Sequence, residues 1–180
     1  MQERPKSEKR KEMSKGSTAA SAPPMELDVR NVMRYFASAV TVVTSALPSG
    51  ELFGLTISAF ISVSLKPPYV LISVRNESTA KNLFVKSKKY CVNILSADQQ
   101  GIAERFSLLG EAGRFVNLDF YTGKGGSPII RNCIGYLDCK ILRTLKIGDH
   151  TLFLGEVIDL AAVKKKPLLY LNRNYARLDY

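Results

Sequence analysis

FGLTISAFISVSLKPPYVLISVR, residues Phe53–Arg75, is the stretch around which the rest of the chain is organised. Between Leu55 and Leu65 the side chains alternate. Leu55, Ile57, Ala59, Ile61, Val63 and Leu65 point to one face, and Thr56, Ser58, Phe60, Ser62 and Ser64 to the other. A period of two specifies a β-strand, or two strand segments meeting at a bend. The first set makes an apolar core face. The second carries four hydroxyls and one bulky group. Such a face suits a solvated edge strand, or a surface on which a flat polar ligand lies, because small hydroxyl side chains let a ring approach the backbone.

Working outward, Ala39–Leu47 (AVTVVTSAL) is rich in β-branched residues and Pro48-Ser49-Gly50 is turn chemistry, so a hairpin leads into this stretch. Pro67 and Pro68 lack ladder donors and interrupt the sheet before a strand over Tyr69–Val74. Ser78 is an N-cap for a helix to about Lys86 that buries Ala80, Leu83 and Phe84. The start of that helix, near Arg75 and Lys81, suits an anion or a plain cap. A strand over Tyr90–Leu95 follows, and Asp98 caps a helix with Ile102, Ala103 and Phe106 inward. Residues 110–127 are long for a connection in a compact domain, which fits a segment that covers a ligand.

The final third reads as two long strands, about Pro128–Leu145 and Thr151–Val163, turning at Lys146–His150 through a Gly148-Asp149 hairpin signal. Leu168–Tyr170 is a last strand. Near the other end, Val29, Val32, Met33 and Phe36 recur at helical spacing and predict an amphipathic helix over 25–37 that lids one end of a barrel. Residues 1–24 are charged and nearly free of large apolar groups, a flexible basic tail preceding one domain over 25–180.

At 180 residues and 46% hydrophobic, the chain has material for one core. The formal charge is +10; the tail holds six basic and three acidic groups, so the remainder keeps +7, which suits an anionic partner such as a nucleotide. Nucleic acid is disfavoured, because the Thr56–Ser64 face is hydroxylic and uncharged, whereas an RNA-binding face interleaves Arg or Lys with stacking aromatics. Three cysteines without metal spacing fit a reducing compartment. Cys133 and Cys139 fall on one strand face roughly 20 Å apart, too far to bridge, and with Cys91 read as small core residues. No apolar run reaches the roughly 18 residues of a membrane span, and the amino terminus has no signal-peptide core, so a cytoplasmic protein is expected. With a single histidine, a histidine metal cluster is not available.

Six blocks then carry a resemblance: GLTISAFISVSLKPPYVLISV, NESTAKNL, YCVNILSADQQGIAERFS, SPIIRNCIGYLDCKI, GDHTLFLGEV and KPLLYLNRNY. In this order, from about Met25 to Tyr175, the chain resembles the FMN-binding split-barrel family, and within it the short-chain flavin reductases of two-component flavin-dependent monooxygenases, such as the reductase partner of 4-hydroxyphenylacetate hydroxylase. The resemblance implies a mainly β fold with small helices, a Greek-key-like split β-barrel, and a homodimer. It implies an NAD(P)H-dependent enzyme that reduces FMN or FAD and supplies a partner monooxygenase. The alternative on the same fold is an electron carrier that keeps FMN bound and does not turn over nicotinamide.

Residue by residue, the resemblance carries flavin contacts onto Thr56, Ile57, Ser58, Ala59 and Ser62, then Ser73, Asn76 and Ser78, with Phe106 and Arg114 as further candidates. Lys81 would help neutralise phosphate. The Gly148-Asp149-His150 turn matches one that lies beside the flavin, with its histidine on the nicotinamide, so His150 is the expected catalytic contact. Tyr170 and Tyr175 join it there. As a lone histidine after a turn, His150 also reads as an ordinary surface residue. Two departures stand out: Ala59 where the family often has Ser, and an extended NRNYARLDY end in place of the commoner Gly-containing one.

Overall fold

The alternation through Leu55–Leu65 resolves into two strands that break at Ser58-Ala59. At this bend Phe60 N–H donates to the Ser58 carbonyl (3.0 Å), and Ser73 N–H to the Ala59 carbonyl (3.1 Å). The computed structural model describes residues 28–108 and 111–178; the predicted tail lies outside them. In chain order the elements are α1 (Arg30–Met33), β1 (Ser38–Ala39), β2 (Thr41–Ala46), β3 (Leu52–Ile57), β4 (Phe60–Leu65), β5 (Pro68–Arg75), α2 (Thr79–Ser87), β6 (Lys89–Ile94), α3 (Gln100–Leu108), α4 (Glu111–Arg114), β7 (Phe120–Thr122), β8 (Pro128–Ile130), β9 (Gly135–Ile147), β10 (His150–Ala162), β11 (Leu169–Leu171) and β12 (Asn174–Ala176).

Seven strands form one antiparallel sheet in the order β3-β2-β6-β9-β10-β5-β4. Its two edge strands are consecutive in sequence, so the sheet curls until its edges meet at the Ser58-Ala59 bend. The barrel is closed there by the chain itself rather than by a continuous ladder. Register shifts in β10, between Leu154 and Gly155 and between Val157 and Asp159, sharpen the curl. A two-stranded sheet (β7-β8) and a three-stranded one (β1-β11-β12) complete the described residues.

The barrel interior is filled by Val43, Phe53, Ile72, Tyr90, Val92 and Phe153. Helix α2 plugs one end: the Phe84 ring stands edge-on 5.0 Å from Phe53 and lies 5.6 Å from Phe153. A second cluster, including Val42, Leu95, Phe106, Ile130 and Leu168, packs α3 on the outside of the sheet. The β2–β3 hairpin forms as its turn chemistry predicts, with Gly50 at φ +89°.

Four expectations are corrected. The apolar face does not run through the bend. Phe60, not Ile61, stands opposite the buried Ile72, so the two bend residues reverse the parity and leave Ile61, Val63 and Leu65 exposed at 59%, 53% and 82%. The helix near the amino terminus is a single turn with no buried residue, and its stripe of Val29, Val32, Met33 and Phe36 faces outward. Phe84 of α2, rather than this stripe, fills a barrel end. Pro128–Leu145 is two strands, because the chain turns at 131–134 with Asn132 at φ +64°. Cys133 therefore sits in that turn and does not share a strand face with Cys139. Lastly, residues 110–127 contain α4 and β7, and β7 pairs with β8.

Candidate active site

A cavity of about 230 Å³ opens at the bend that closes the barrel, lined by Val40, Thr56, Ile57, Ser58, Ser107, Tyr170 and Tyr175. Strand β3 delivers Thr56 and Ile57 at its end, and the bend leaves Ser58 exposed. Thr56 donates its hydroxyl to the Ala103 carbonyl (2.6 Å), which ties α3 to the cavity floor. The opposite wall is the β11–β12 hairpin. Its turn residues Asn172 and Arg173 have φ of 48° and 65°, as a two-residue hairpin requires, and it sets Tyr170 and Tyr175 as a cross-strand pair 5.6 Å apart, edge to face. The Asn172 N–H anchors this hairpin on the Arg34 carbonyl (2.6 Å). Burial pushes the Tyr175 phenol above its ordinary value.

A second group gathers at the β9–β10 turn. Gly148 (φ +55°) and Asp149 form a two-residue turn, and His150 opens β10 opposite Arg75 of β5. His150 Nδ1 lies 2.7 Å from Asp149 Oδ1. An ionised carboxylate can only accept, so Nδ1 carries a proton, and in the neutral imidazole this leaves Nε2 as the acceptor. Asn76 holds the turn through its backbone N–H to the Asp149 carbonyl (2.9 Å) and its side-chain amide to the Gly148 carbonyl (3.1 Å).

The two groups are linked through β5. Ala59 accepts from Ser73, Ser73 pairs with Leu152, and His150 lies two residues further along the same face. Ser78 occupies the N-cap position of α2 and its hydroxyl makes no capping bond; Lys81 lies in the first turn, its ammonium on Asn82 (2.8 Å).

Other predicted residues stand apart from the cavity. Phe106 is fully buried, edge-on 5.2 Å from Phe115, and would lie 3.0 Å from a Cβ added at Gly54. Arg114 donates to the Gly54 carbonyl (2.6 Å). Both therefore brace β3 at Gly54, two residues before Thr56. Ser62 is exposed on the edge strand, opposite Val70. Sequence reasoning missed Val40 and Ser107, which reach the cavity from β2's leading edge and the end of α3. Neither has a local signal, because each enters only through tertiary packing.

A curled antiparallel sheet joined at its edges by a hydroxyl-bearing bend, with a cavity at that seam, defines a split-barrel protein, and the solved structures similar to this chain are flavin reductases of that type. Residues 33–179 match the flavin reductase like domain, and the chain belongs to that family. It is 34% identical over 150 residues to the FMN reductase (NADH) SmoA of Agrobacterium fabrum, covering 83% of this chain and 84% of the relative. It is 30% identical over 160 residues to the 4-hydroxyphenylacetate 3-monooxygenase reductase component of Pseudomonas aeruginosa, covering 87% and 94%. The Streptomyces globisporus NADH:FAD oxidoreductase SgcE6, solved with NAD and FAD fragments, superposes with a TM-score of 0.78 at 33% identity, covering 83% of this chain and 90% of that one. No helix among the described residues is long and apolar enough to cross a membrane.

Proposed function

We propose that this protein is an NAD(P)H-dependent flavin reductase, which moves a hydride from NADH to FMN or FAD and supplies the reduced flavin to a monooxygenase component. The observation that carries the reading is the connection, across adjacent strands, of the hydroxyl-bearing bend to the His150 turn: Ala59 to Ser73, Ser73 to Leu152, and His150 beside Arg75. The relatives' names, an NADH-dependent FMN reductase and a monooxygenase reductase component, support the same chemistry.

The residues present fit a flavin. The 230 Å³ cavity is smaller than the roughly 300–1,000 Å³ of a pocket that encloses a whole ligand, so it takes a ring and leaves a nucleotide tail on the open surface. Ser58 and the bend backbone would hold the ring edge, with Tyr170 and Tyr175 walling it from water. Ser78 at the start of α2, with Arg75 and Lys81 close by in sequence, would receive the phosphate, where helix N–H groups and the dipole favour an anion. The nicotinamide and the flavin supply the hydride transfer; the protein aligns them. His150, with Nδ1–H held by Asp149, offers Nε2 to the nicotinamide.

Assembly as a homodimer belongs to the same proposal. Ile61, Leu71, Leu154, Leu152 and Leu145 lie on one sheet face, paired across β4, β5, β10 and β9, with Ile61 and Leu145 exposed at 59% and 57%. An exposed apolar face of this kind fits a self-complementary interface between two copies. Ser73 and His150 lie on that face, so a second copy would close over them. The free thiols Cys91, Cys133 and Cys139 support a cytoplasmic setting.

The experiment follows NADH absorbance with and without added FMN or FAD, for wild type and His150→Ala. Flavin-dependent oxidation that drops in the variant supports the reductase. A wild type inactive with both flavins and both nicotinamides rejects it, and a protein that purifies yellow and turns over slowly points instead to an electron carrier.

A further inference from the structure

The hairpin tip that carries His150 receives almost nothing from the core. Every residue from Leu142 to Asp149 is exposed, so packing within one copy does not fix where the imidazole stands. What fixes it is Asn76, which follows β5. Its backbone N–H donates to the Asp149 carbonyl (2.9 Å) and its side-chain amide to the Gly148 carbonyl (3.1 Å). Its side-chain oxygen accepts from the Thr151 hydroxyl (2.6 Å), and Thr151 is only 4% exposed. These three bonds grip positions 148, 149 and 151, on both sides of His150.

We propose that Asn76 and Thr151 form a positioning pair that acts through His150, setting the imidazole's place and the register of its Asp149 contact. Asn76 then governs the hydride donor rather than the flavin, and Thr151, which no sequence signal singles out, belongs to the same machinery. The inference rests on the nicotinamide role of His150 given above. The pairing also explains the amide at position 76: one carbonyl and one N–H group, held on a short stem, meet a hydroxyl donor and a carbonyl acceptor at once.

The test uses the full chain with Asn76→Ala, Thr151→Val and Thr151→Ser, alone and in the His150→Ala background. Thr151→Val keeps the shape of the buried side chain and removes only the donor, so it serves if Asn76→Ala does not fold. Expected is a roughly tenfold loss in kcat/KM for NADH in Asn76→Ala and Thr151→Val. Flavin affinity by fluorescence titration stays unchanged, Thr151→Ser stays near wild type, and neither impaired variant loses more in the His150→Ala background. Because the chain has one histidine, its imidazole nitrogen signals are read directly by NMR, and the Nδ1–H tautomer preference of the wild type should weaken in both variants. Weakened flavin affinity with NADH turnover retained overturns the proposal, as does a full additional loss on top of His150→Ala. If His150→Ala is itself unimpaired, the nicotinamide reading falls and this one with it; if His150→Ala is impaired and Asn76→Ala adds to it, only the positioning pair fails.

Discussion

His150 Nδ1 and Asp149 Oδ1 stand 2.7 Å apart on consecutive residues, so the turn supplies its own orienting group for the imidazole it presents. The His150 contact holds the Asp149 carboxyl below its usual range. A depressed carboxylate contributes above its unfolded value of about 3.9, and the contribution is lost as pH falls through the lower folded value. Asp149 is therefore ionised throughout the neutral range. Asp149→Asn, whose amide can donate as well as accept, should lower kcat/KM for NADH several-fold in steady-state assays. Its melting temperature should stay near wild type, since the residue is exposed and such surface changes move stability little.

Ser58 and Thr56 line the same cavity and should separate cleanly. Thr56 spends its hydroxyl on Ala103, so Thr56→Val should cost about 1 kcal/mol of stability, read in denaturant unfolding. Ser58 is exposed at the bend; Ser58→Ala should leave unfolding unchanged and weaken flavin binding, measured by fluorescence quenching. A Ser58→Ala protein with wild-type flavin affinity would remove this hydroxyl from the site.

Asp138 is buried beneath the Gly123–Ser127 turn with Oδ2 accepting from Gly125 N–H (2.6 Å) and no hydrogen-bond partner on Oδ1 among the described residues. Burial pushes its carboxyl above the ordinary value. A raised folded pKa means that the folded state holds the proton more tightly. Stability is then fullest below the unfolded value, about pH 4, and declines as pH rises through the folded one. Asp138→Asn should raise the melting temperature at neutral and higher pH by about 2–4 °C, corresponding to ~1 kcal/mol. The gain should vanish near pH 4, as thermal unfolding across pH will show.

Gly155 faces the Tyr90 ring so closely that an added Cβ would lie 2.7 Å from Tyr90 Cζ and 3.0 Å from Cys139 Cβ. Tyr90 cannot retreat easily, because it is fully buried and its hydroxyl donates to the Val70 carbonyl at 3.3 Å. Gly155→Ala should cost about 1–3 kcal/mol of overpacking. A melting temperature equal to wild type would show that β10 can shift at its bulge without strain.

The hydroxyl-bearing face and the Gly148-Asp149 turn were legible as local chemistry, whereas the roles given to His150, Tyr170 and Tyr175 came only with the family resemblance. Thr56, Ile57 and Ser58 with Tyr170 and Tyr175 line one cavity, and Gly148-Asp149-His150 forms the expected turn. Asn76 and Arg114 entered through the resemblance as candidate flavin contacts, not as partners of the turn and of Gly54. Those bonds cross 72 and 60 residues, and no periodicity reports them.

By itself the sequence determined the strands, hairpins and helices whose causes are local: alternation of side chains, β-branching, Pro and Gly at turns, and one stripe or cap at a time. The buried faces of α2 and α3, with Ala80 and Phe84 and with Ala103 and Phe106, also follow from their own sequence, but tertiary structure alone decided which face is buried beyond the bend and along the amino-terminal stripe. The reversal of parity at Ser58-Ala59 exposes Ile61, Val63 and Leu65 although their pattern continues unbroken, because burial depends on where the curled sheet places its edge strand. For the same reason, the stripe of α1 found no partner among the described residues while Phe84 of α2 filled the barrel end. Side-chain alternation is set by each residue's own backbone, whereas burial is set by what arrives from elsewhere in the chain.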